Sequence, residues 1–194
     1  MKHILYLAAG SSRRFGGNKL LTPVNGMPLY RHGLLTLRDV CRSRCDCTLT
    51  VITRSQEIAD DARTLGAKAV FSPESEKGIA YSIRAGIRSL GSLAEGDYLL
   101  FAVADQPYLS PDTVCRLTDA ADQGVLCATA AFGDQAGNPT LFSAVLAEEL
   151  CSLEGDTGGR KILKRHADAC AVIPCTNERE LWDIDIRDDI AAIK

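Results

Sequence analysis

The sequence predicts one α/β domain over residues 1–194, built as a Rossmann-like three-layer sandwich around a mostly parallel β-sheet. Three observations predict it. Strand-like apolar runs alternate with segments of helical periodicity, the order typical of α/β proteins. The strand-like runs are apolar almost throughout, as in sheets covered on both faces. The 194 residues suit about one domain, and no linker-like stretch divides them.

Strands and helices follow from periodicity and flanking residues. Six short apolar segments are predicted strands, at 2–9, 48–54, 67–72, 98–104, 124–132 and 171–174. Helical spacing predicts helices at 28–44, 55–65, 78–90, 143–153, 160–166 and 186–193. One more helix opens at Ser110-Pro111, with Ser110 as its N-cap and Pro111 as its first residue. In open sheets of this kind, ligands bind at the carboxyl ends of the strands.

Composition excludes several classes of protein. The net charge of −3 gives no reason to expect a nucleic-acid partner. No apolar run approaches the roughly 20 residues of a membrane span, and the first apolar stretch, 4–9, is too short for a secretory signal. The eight cysteines contain no C-x-x-C spacing and the three histidines are scattered, so neither zinc nor disulfides are predicted. We therefore expect a cytoplasmic protein without a membrane partner.

A glycine-rich loop directly follows the first strand. It reads Gly10-Ser11-Ser12-Arg13-Arg14-Phe15-Gly16-Gly17-Asn18-Lys19. Glycines let backbone N–H groups approach a phosphate, and arginine and lysine supply charge. Phe15 breaks the P-loop pattern and Ser12 breaks the dinucleotide-binding fingerprint. Phosphate binding is the prediction, with a solvated surface loop as the alternative.

Two aspartates are candidate metal ligands. Asp105 ends the 98–104 strand, and because Ser110 already caps the next helix, Asp105 is not needed as a cap. A carboxylate beside a phosphate loop suits Mg²⁺, which typically takes one or two protein carboxylates plus phosphate oxygens. Alternation predicts a short strand that puts Asp183 and Asp185 on one face, opposite Ile184. For Asp185, metal binding and capping of the last helix stay equally open.

A second glycine-rich turn leads into a later helix. It reads Gly155-Asp156-Thr157-Gly158-Gly159-Arg160, which is compatible with an ordinary tight turn as well as with ligand binding. Neither a G-x-S-x-G elbow nor an H-E-x-x-H motif is present, which disfavours common hydrolases and zinc proteases.

Together these motifs resemble the MobA-like nucleotidyltransferases, and among them the molybdenum cofactor cytidylyltransferases. That family opens on L-A-A-G-x-S-x-R-M-G-x-x-K, which stands here as residues 7–19. Further matches follow in family order: Gly78 with Ser82 and Gly86, Ala104-Asp105-Gln106-Pro107, Gly137-Asn138-Pro139, Gly155-Asp156-x-Gly158-x-Arg160 and Asp183-Ile184-Asp185. The resemblance implies the fold of the nucleotide-diphospho-sugar transferases.

The resemblance also implies an activity and its residues. CMP would pass from CTP to the phosphate of molybdopterin with release of pyrophosphate, with Mg²⁺ as cofactor and a molybdoenzyme as a possible recipient of the product. Ala9 favours CTP, because guanylyltransferase relatives usually carry glycine there. The implied catalytic residues are Arg14, Lys19 and Asp105, and the implied metal ligands are Asp105 and Asp185. The implied nucleotide-binding residues are Leu7, Ala8, Ala9, Gly10, Ser11, Ser12, Arg14, Lys19, Gly78 and Ser82. The implied acceptor-binding residues are Asn138, Asp156, Gly158 and Arg160.

Two alternatives remain open. L-A-A-G openings also occur in sugar-phosphate nucleotidyltransferases, and the chain departs from the family at Asn138, where histidine is common, and after Asp185. The second alternative, after a sugar-phosphate nucleotidyltransferase, is a non-catalytic protein that binds and delivers molybdenum cofactor. The missing dinucleotide fingerprint disfavours an NAD- or flavin-dependent oxidoreductase.

Overall fold

The structure, a computed structural model, describes residues 1–10, 18–185 and 189. Its strands are β1 (Lys2–Ala8), β2 (Pro23–Val24), β3 (Met27–Pro28), β4 (Cys47–Thr53), β5 (Lys68–Phe71), β6 (Tyr98–Val103), β7 (Cys127–Phe132), β8 (Gln135–Ser143) and β9 (Cys170–Pro174). Its α-helices are α1 (Leu29–Ser43), α2 (Gln56–Thr64), α3 (Ile79–Ser89), α4 (Pro111–Asp122), α5 (Ala147–Cys151) and α6 (Arg160–Arg165).

Seven strands form the main sheet, in the order β5-β4-β1-β6-β8-β7-β9. β8 runs antiparallel to both of its neighbours, and the other pairings are parallel. The chain adds β4 and β5 on one side of β1 and then crosses over to place β6 on the other side. This reversal of direction opens a crevice between the carboxyl ends of β1 and β6, where open α/β sheets bind ligands.

The sheet separates two apolar cores. Alternate residues of β1 face opposite sides: Tyr6 and Ala8 pack in the layer of α1, α2 and α4. Leu5 and Leu7 pack in the layer of α3, α5 and α6. The predicted single-domain three-layer α/β sandwich with a mostly parallel sheet is thus confirmed.

The structure differs from the predicted elements in several places, among them the short unpredicted strands β2 and β3. β8 was not predicted, because Gly137 and Pro139 interrupt its pattern and its first four residues are exposed or half-buried. The predicted helix at 143–153 is a 3₁₀ turn, Ala144–Leu146, followed by the shorter α5. The predicted strand around Asp183 and Asp185 is wrong: the segment is irregular, although Ile184 is buried between two exposed aspartates as the alternation required.

Ser110 caps α4 as predicted, accepting hydrogen bonds from the backbone of Asp112 at 3.1 Å and of Thr113 at 3.5 Å.

Of the predicted helix at 186–193, only Asp189, which is helical, lies within the described residues. No helix in the described part of the chain has the length and apolar character needed to cross a membrane.

Candidate active site

A cavity of about 490 Å³ lies at the crevice between β1 and β6. Its walls include the ends of both strands, the start of α3 and the segment before residue 186. The predicted site residues that line it are Leu7, Ala9, Gly10, Lys19, Gly78, Ser82, Asp105, Asp156 and Asp185. Ala8 instead faces the opposite core, and Ser11, Ser12 and Arg14 lie outside the described residues.

Lys19 is the charged centre of this cavity. It begins a 3₁₀ turn, Lys19–Leu21, and its side chain is 10% exposed. Its Nζ lies 2.9 Å from Oδ2 of Asp105 and 3.3 Å from Oδ1 of Asp185. Burial alone would lower the pKa of Lys19, but the charges and hydrogen bonds of the two aspartates raise it above its usual value. The ammonium group therefore remains protonated. It links Lys19 to two aspartates that lie far away in the sequence, Asp105 at a separation of 86 positions and Asp185 at a separation of 166.

The segment that carries Asp185 is fixed to the end of β6. The backbone N–H of Ile184 donates to the carbonyl of Asp105 at 3.0 Å. Gln106, which is buried, donates from Nε2 to Oδ1 of Asp183 at 2.9 Å and to the carbonyl of Leu181 at 3.4 Å. Sequence reasoning assigned no role to Gln106, although the motif it quoted, Ala104-Asp105-Gln106-Pro107, contains it.

Asp183 lies on the other side of this segment from Lys19. Partial burial, together with the negative charge of Asp105, raises the pKa of Asp183 to about 6, whereas the hydrogen bond from Gln106 opposes the rise. Among the described residues, the site thus brings three acidic side chains close to one ammonium group, an arrangement that favours the binding of further cations.

A chain of hydroxyl groups forms the floor near α3. Ser82 donates to Oγ of Ser75 at 2.8 Å, and Ser75 donates to Oγ of Ser72 at 2.9 Å. All three serines are buried, so the chain holds the 3₁₀ turn Pro73–Lys77 against α3. Ser75 and Glu76 also line the cavity, and the sequence analysis missed both.

Gly78, which follows this turn, packs against the second glycine-rich turn at residues 155–160. Its φ is +133°, and a Cβ at this position would lie 2.2 Å from the carbonyl carbon of Gly155. The N–H of Ala80 donates to the Gly155 carbonyl at 3.1 Å. The predicted tight turn at 155–160 thus packs on the start of α3 and brings Asp156 to the cavity wall.

A second cavity, of about 470 Å³, adjoins the first. Gln106 and Asp183 line it, whereas Asp105 and Asp185, which lie next to them in the sequence or nearly so, line the first cavity. These four residues therefore form a short wall between the two cavities. Two of the predicted acceptor-binding residues, Asn138 and Arg160, line the second cavity. Asp156 lines the first, and Gly158 packs beside Ile79.

Comparison with known sequences identifies relatives over the whole chain. Residues 4–170 match the MobA-like NTP transferase domain. The purine catabolism protein PucB of Bacillus subtilis is 31% identical over 98% of this chain and 94% of its own length. The nicotine blue oxidoreductase of Paenarthrobacter nicotinovorans is 27% identical, over 92% and 89%. A probable molybdenum cofactor guanylyltransferase of a Geobacillus strain is 23% identical, over 93% and 88%.

Solved structures share the fold. A nucleotidyl transferase from Methanothermobacter thermautotroptrophicus superposes with a TM-score of 0.80 at 20% identity, over 100% of this chain and 95% of that one. A Mycobacterium tuberculosis protein solved as a complex with manganese gives a TM-score of 0.70 at 22% identity, over 99% and 97%. The solved structures share the fold, and the match over residues 4–170 shows that this chain belongs to the MobA-like NTP transferase family of nucleotidyltransferases.

Proposed function

We propose that this protein transfers CMP from CTP to the phosphate of molybdopterin, with Mg²⁺ as cofactor and pyrophosphate as the second product. The observation that carries the proposal is the meeting of Lys19, Asp105 and Asp185 on the wall between two cavities. One cavity would hold the nucleoside triphosphate and the other the acceptor, so that the reacting phosphates meet at this wall.

The donor set suits a divalent metal ion. Asp105 and Asp185 are brought together around one cation, the Lys19 ammonium group, and this grouping of carboxylate oxygens supports the assignment of a metal site there. Mg²⁺ typically takes one or two carboxylates and completes its shell with water and substrate phosphates. Among the described residues, no group of three or more acidic, histidine or cysteine side chains is placed to hold a metal ion. Bound there, Mg²⁺ would neutralise phosphate charge as a Lewis acid.

The chain's own residues bind, orient and neutralise. An oxygen of the acceptor phosphate attacks the α-phosphorus of CTP, a new P–O–P bond forms, and the bond to the β-phosphate oxygen breaks to release pyrophosphate. The attacking phosphate is already anionic, so no general base is required. Lys19 would bind the phosphates as a point charge, and Arg14 is assigned by resemblance as their second cationic partner. In-line positioning by the two cavities supplies the rest.

The preference for CTP rests on Ala9. This buried residue lines the first cavity, where its methyl group would narrow the space for a base compared with glycine. The acceptor assignment rests on the ordered family motifs and on Arg160 and Lys164, which bring positive charge to the second cavity. We place the reaction in the cytoplasm, where the eight cysteines stay reduced.

Thermal melting with Mg²⁺ and CTP, GTP, UTP, dTTP or ATP tests the nucleotide. A ligand at about 100 times its Kd adds roughly 2.7 kcal/mol, a shift of several degrees for a domain of this size. We expect a shift selective for CTP that is lost in Asp105→Asn.

Pyrophosphate release with molybdopterin, compared with sugar phosphates, tests the acceptor. We expect release with molybdopterin. Release with sugar phosphates alone would reassign the protein to sugar-phosphate nucleotidyl transfer. Tight molybdopterin binding without release in the presence of any nucleotide would identify a delivery protein.

A further inference from the structure

The Lys19 ammonium group lies between the two carboxylates that would hold a divalent metal. Its distances of 2.9 Å to Asp105 and 3.3 Å to Asp185 are those of direct ion pairs. The lysine is buried, whereas the Asp185 side chain is 63% exposed, so it is Asp185 that borders open solvent. In the absence of ligands, these carboxylates therefore already have a cationic partner.

A metal ion and this ammonium group compete for the same oxygens. Mg²⁺ and Mn²⁺ bind carboxylate oxygens at short distances, and an ammonium group in the same gap would face a divalent ion at close range. At about 4 Å, charges of +1 and +2 repel strongly in a partly buried site. Binding of one metal ion by both aspartates therefore requires the ammonium group to leave the gap.

The Lys19 side chain can move to another position in the same cavity. Its stem of four methylene groups is flexible, and Lys19 lines the same cavity as Gly78 and Ser82, where the triphosphate is proposed to bind. Phosphate oxygens would replace the aspartates as partners of Nζ, while the metal replaces Nζ between the aspartates. Phosphate binding would thereby release the aspartates for the metal, and metal binding would release Nζ for the phosphates.

We propose that Lys19 is a place-holding cation: without ligands its ammonium group occupies the place between Asp105 and Asp185 that the divalent metal takes when nucleotide binds. The inference rests on the proposed function and extends it from the identity of the ligands to the order in which they bind. It assigns Lys19 two successive partners, the aspartates before nucleotide binds and the phosphates afterwards. Metal binding without nucleotide is then weak because of the lysine.

Mn²⁺ binding to the nucleotide-free protein tests this role. Free Mn²⁺ is titrated by electron paramagnetic resonance for the unaltered protein and for Lys19→Met. We expect Lys19→Met to bind Mn²⁺ more tightly, by a factor within the about 5- to 150-fold typical of coupled sites. Lys77→Met is the matched control: it removes the same charge from the turn before Gly78, where Lys77 pairs with the exposed Glu74, and it should bind Mn²⁺ as the unaltered protein does. Adding Asp105→Asn to Lys19→Met should abolish the gain.

Equal or weaker Mn²⁺ binding by Lys19→Met would overturn the inference, since it would show that the lysine assists the carboxylates. Lys19→Gln, which keeps a polar end, repeats the comparison if the methionine variant does not fold. The two proposals fail separately. Nucleotidyl transfer by the unaltered protein without tighter Mn²⁺ binding in the variant contradicts only the place-holding role. Tighter Mn²⁺ binding without any transfer contradicts only the proposed function.

Discussion

Gln106 donates a hydrogen bond of 2.9 Å to the carboxylate of Asp183, and this contact joins the residue after Asp105 to the segment that carries Asp185. The two residues lie 77 positions apart in the sequence. We therefore expect Gln106 to act as a positioning residue for the acidic pair.

We expect Gln106→Leu to weaken metal binding and turnover by about 10- to 100-fold, as substitutions behind metal ligands commonly do. Leucine fills the buried space but leaves Asp183 without its donor. Mn²⁺ titration in the presence of CTP and steady-state kinetics measure the effect. Gln123→Leu, at the exposed end of α4, is the control and should change neither quantity. Unchanged Mn²⁺ affinity in Gln106→Leu would contradict the positioning role.

Lys19→Ala should lower kcat/KM for nucleotidyl transfer by about 10²–10³, or roughly 3–4 kcal/mol, the loss typical of a preorganised charge-stabilising donor. Pyrophosphate release under single-turnover conditions measures the chemical step, and circular dichroism checks the fold. A variant that folds and turns over at the normal rate would show that another residue carries the phosphate charge.

Ala9→Gly should reduce the preference for CTP over GTP by about tenfold, since one methyl group in a binding pocket is worth roughly that factor. Competition between the two nucleotides in the pyrophosphate assay gives the ratio directly. Ala8→Gly is the informative control, because it makes the same change in the neighbouring residue, which faces the opposite core. If both variants shift the ratio equally, the effect comes from the backbone and not from the cavity wall.

Gly78→Ala should destabilise the protein more than Gly91→Ala, by about 1–3 kcal/mol. Both glycines have positive φ, at +133° and +77°, so both substitutions strain the backbone. Only Gly78 also abuts Gly155, whereas nothing lies within 4 Å of a Cβ at Gly91. Urea unfolding measures both free energies. Equal losses would mean that the contact between the two turns relaxes without cost.

Glu180→Gln should lower the free energy of unfolding at pH 7 by about 1–3 kcal/mol, because the buried carboxylate accepts hydrogen bonds from Ser110, Thr176 and Asn177. Burial would raise the pKa of Glu180, but these hydrogen bonds outweigh it and lower the pKa below the usual 4.5. A lowered pKa stabilises the fold above about pH 4.5, and this contribution is lost as the pH falls further.

The difference between Glu180→Gln and the unaltered protein should therefore shrink between pH 5 and pH 3, as urea unfolding across that range would show. Glu178→Gln, in the same turn but exposed, is the control and should unfold like the unaltered protein at every pH. A difference that stays constant below pH 4 would contradict the role of the ionised carboxylate.

The sequence predicted the elements whose signals are local. The apolar run of β6 and the Ser110 cap of α4 are set by neighbouring residues, and both were predicted nearly to the residue. β8 escaped prediction because its partners, β6 and β7, define it more than its own glycine- and proline-containing sequence does.

The residues of the site also fall into two groups, those that the sequence predicts and those that only the fold brings to the cavities. Lys19, Asp105 and Asp185 were found from residue type and motif order, but their mutual contacts required the fold. Gln106, Ser75 and Glu76 were missed because glutamine, serine and glutamate carry no distinctive pattern, and only tertiary packing brings them to the cavities.

The two cavities draw on different parts of the chain. Among the described residues, those that line the second cavity all come from position 106 onward, whereas those that line the first come from positions up to Asp105, with Asp156 and Asp185 as the exceptions. Under the proposed assignment of the first cavity to the donor and the second to the acceptor, mutations in the carboxyl-terminal half would change the molecule that receives the nucleotide, while the amino-terminal half would keep the donor. A hybrid of two relatives joined at β6 would then inherit its donor from one parent and its acceptor from the other.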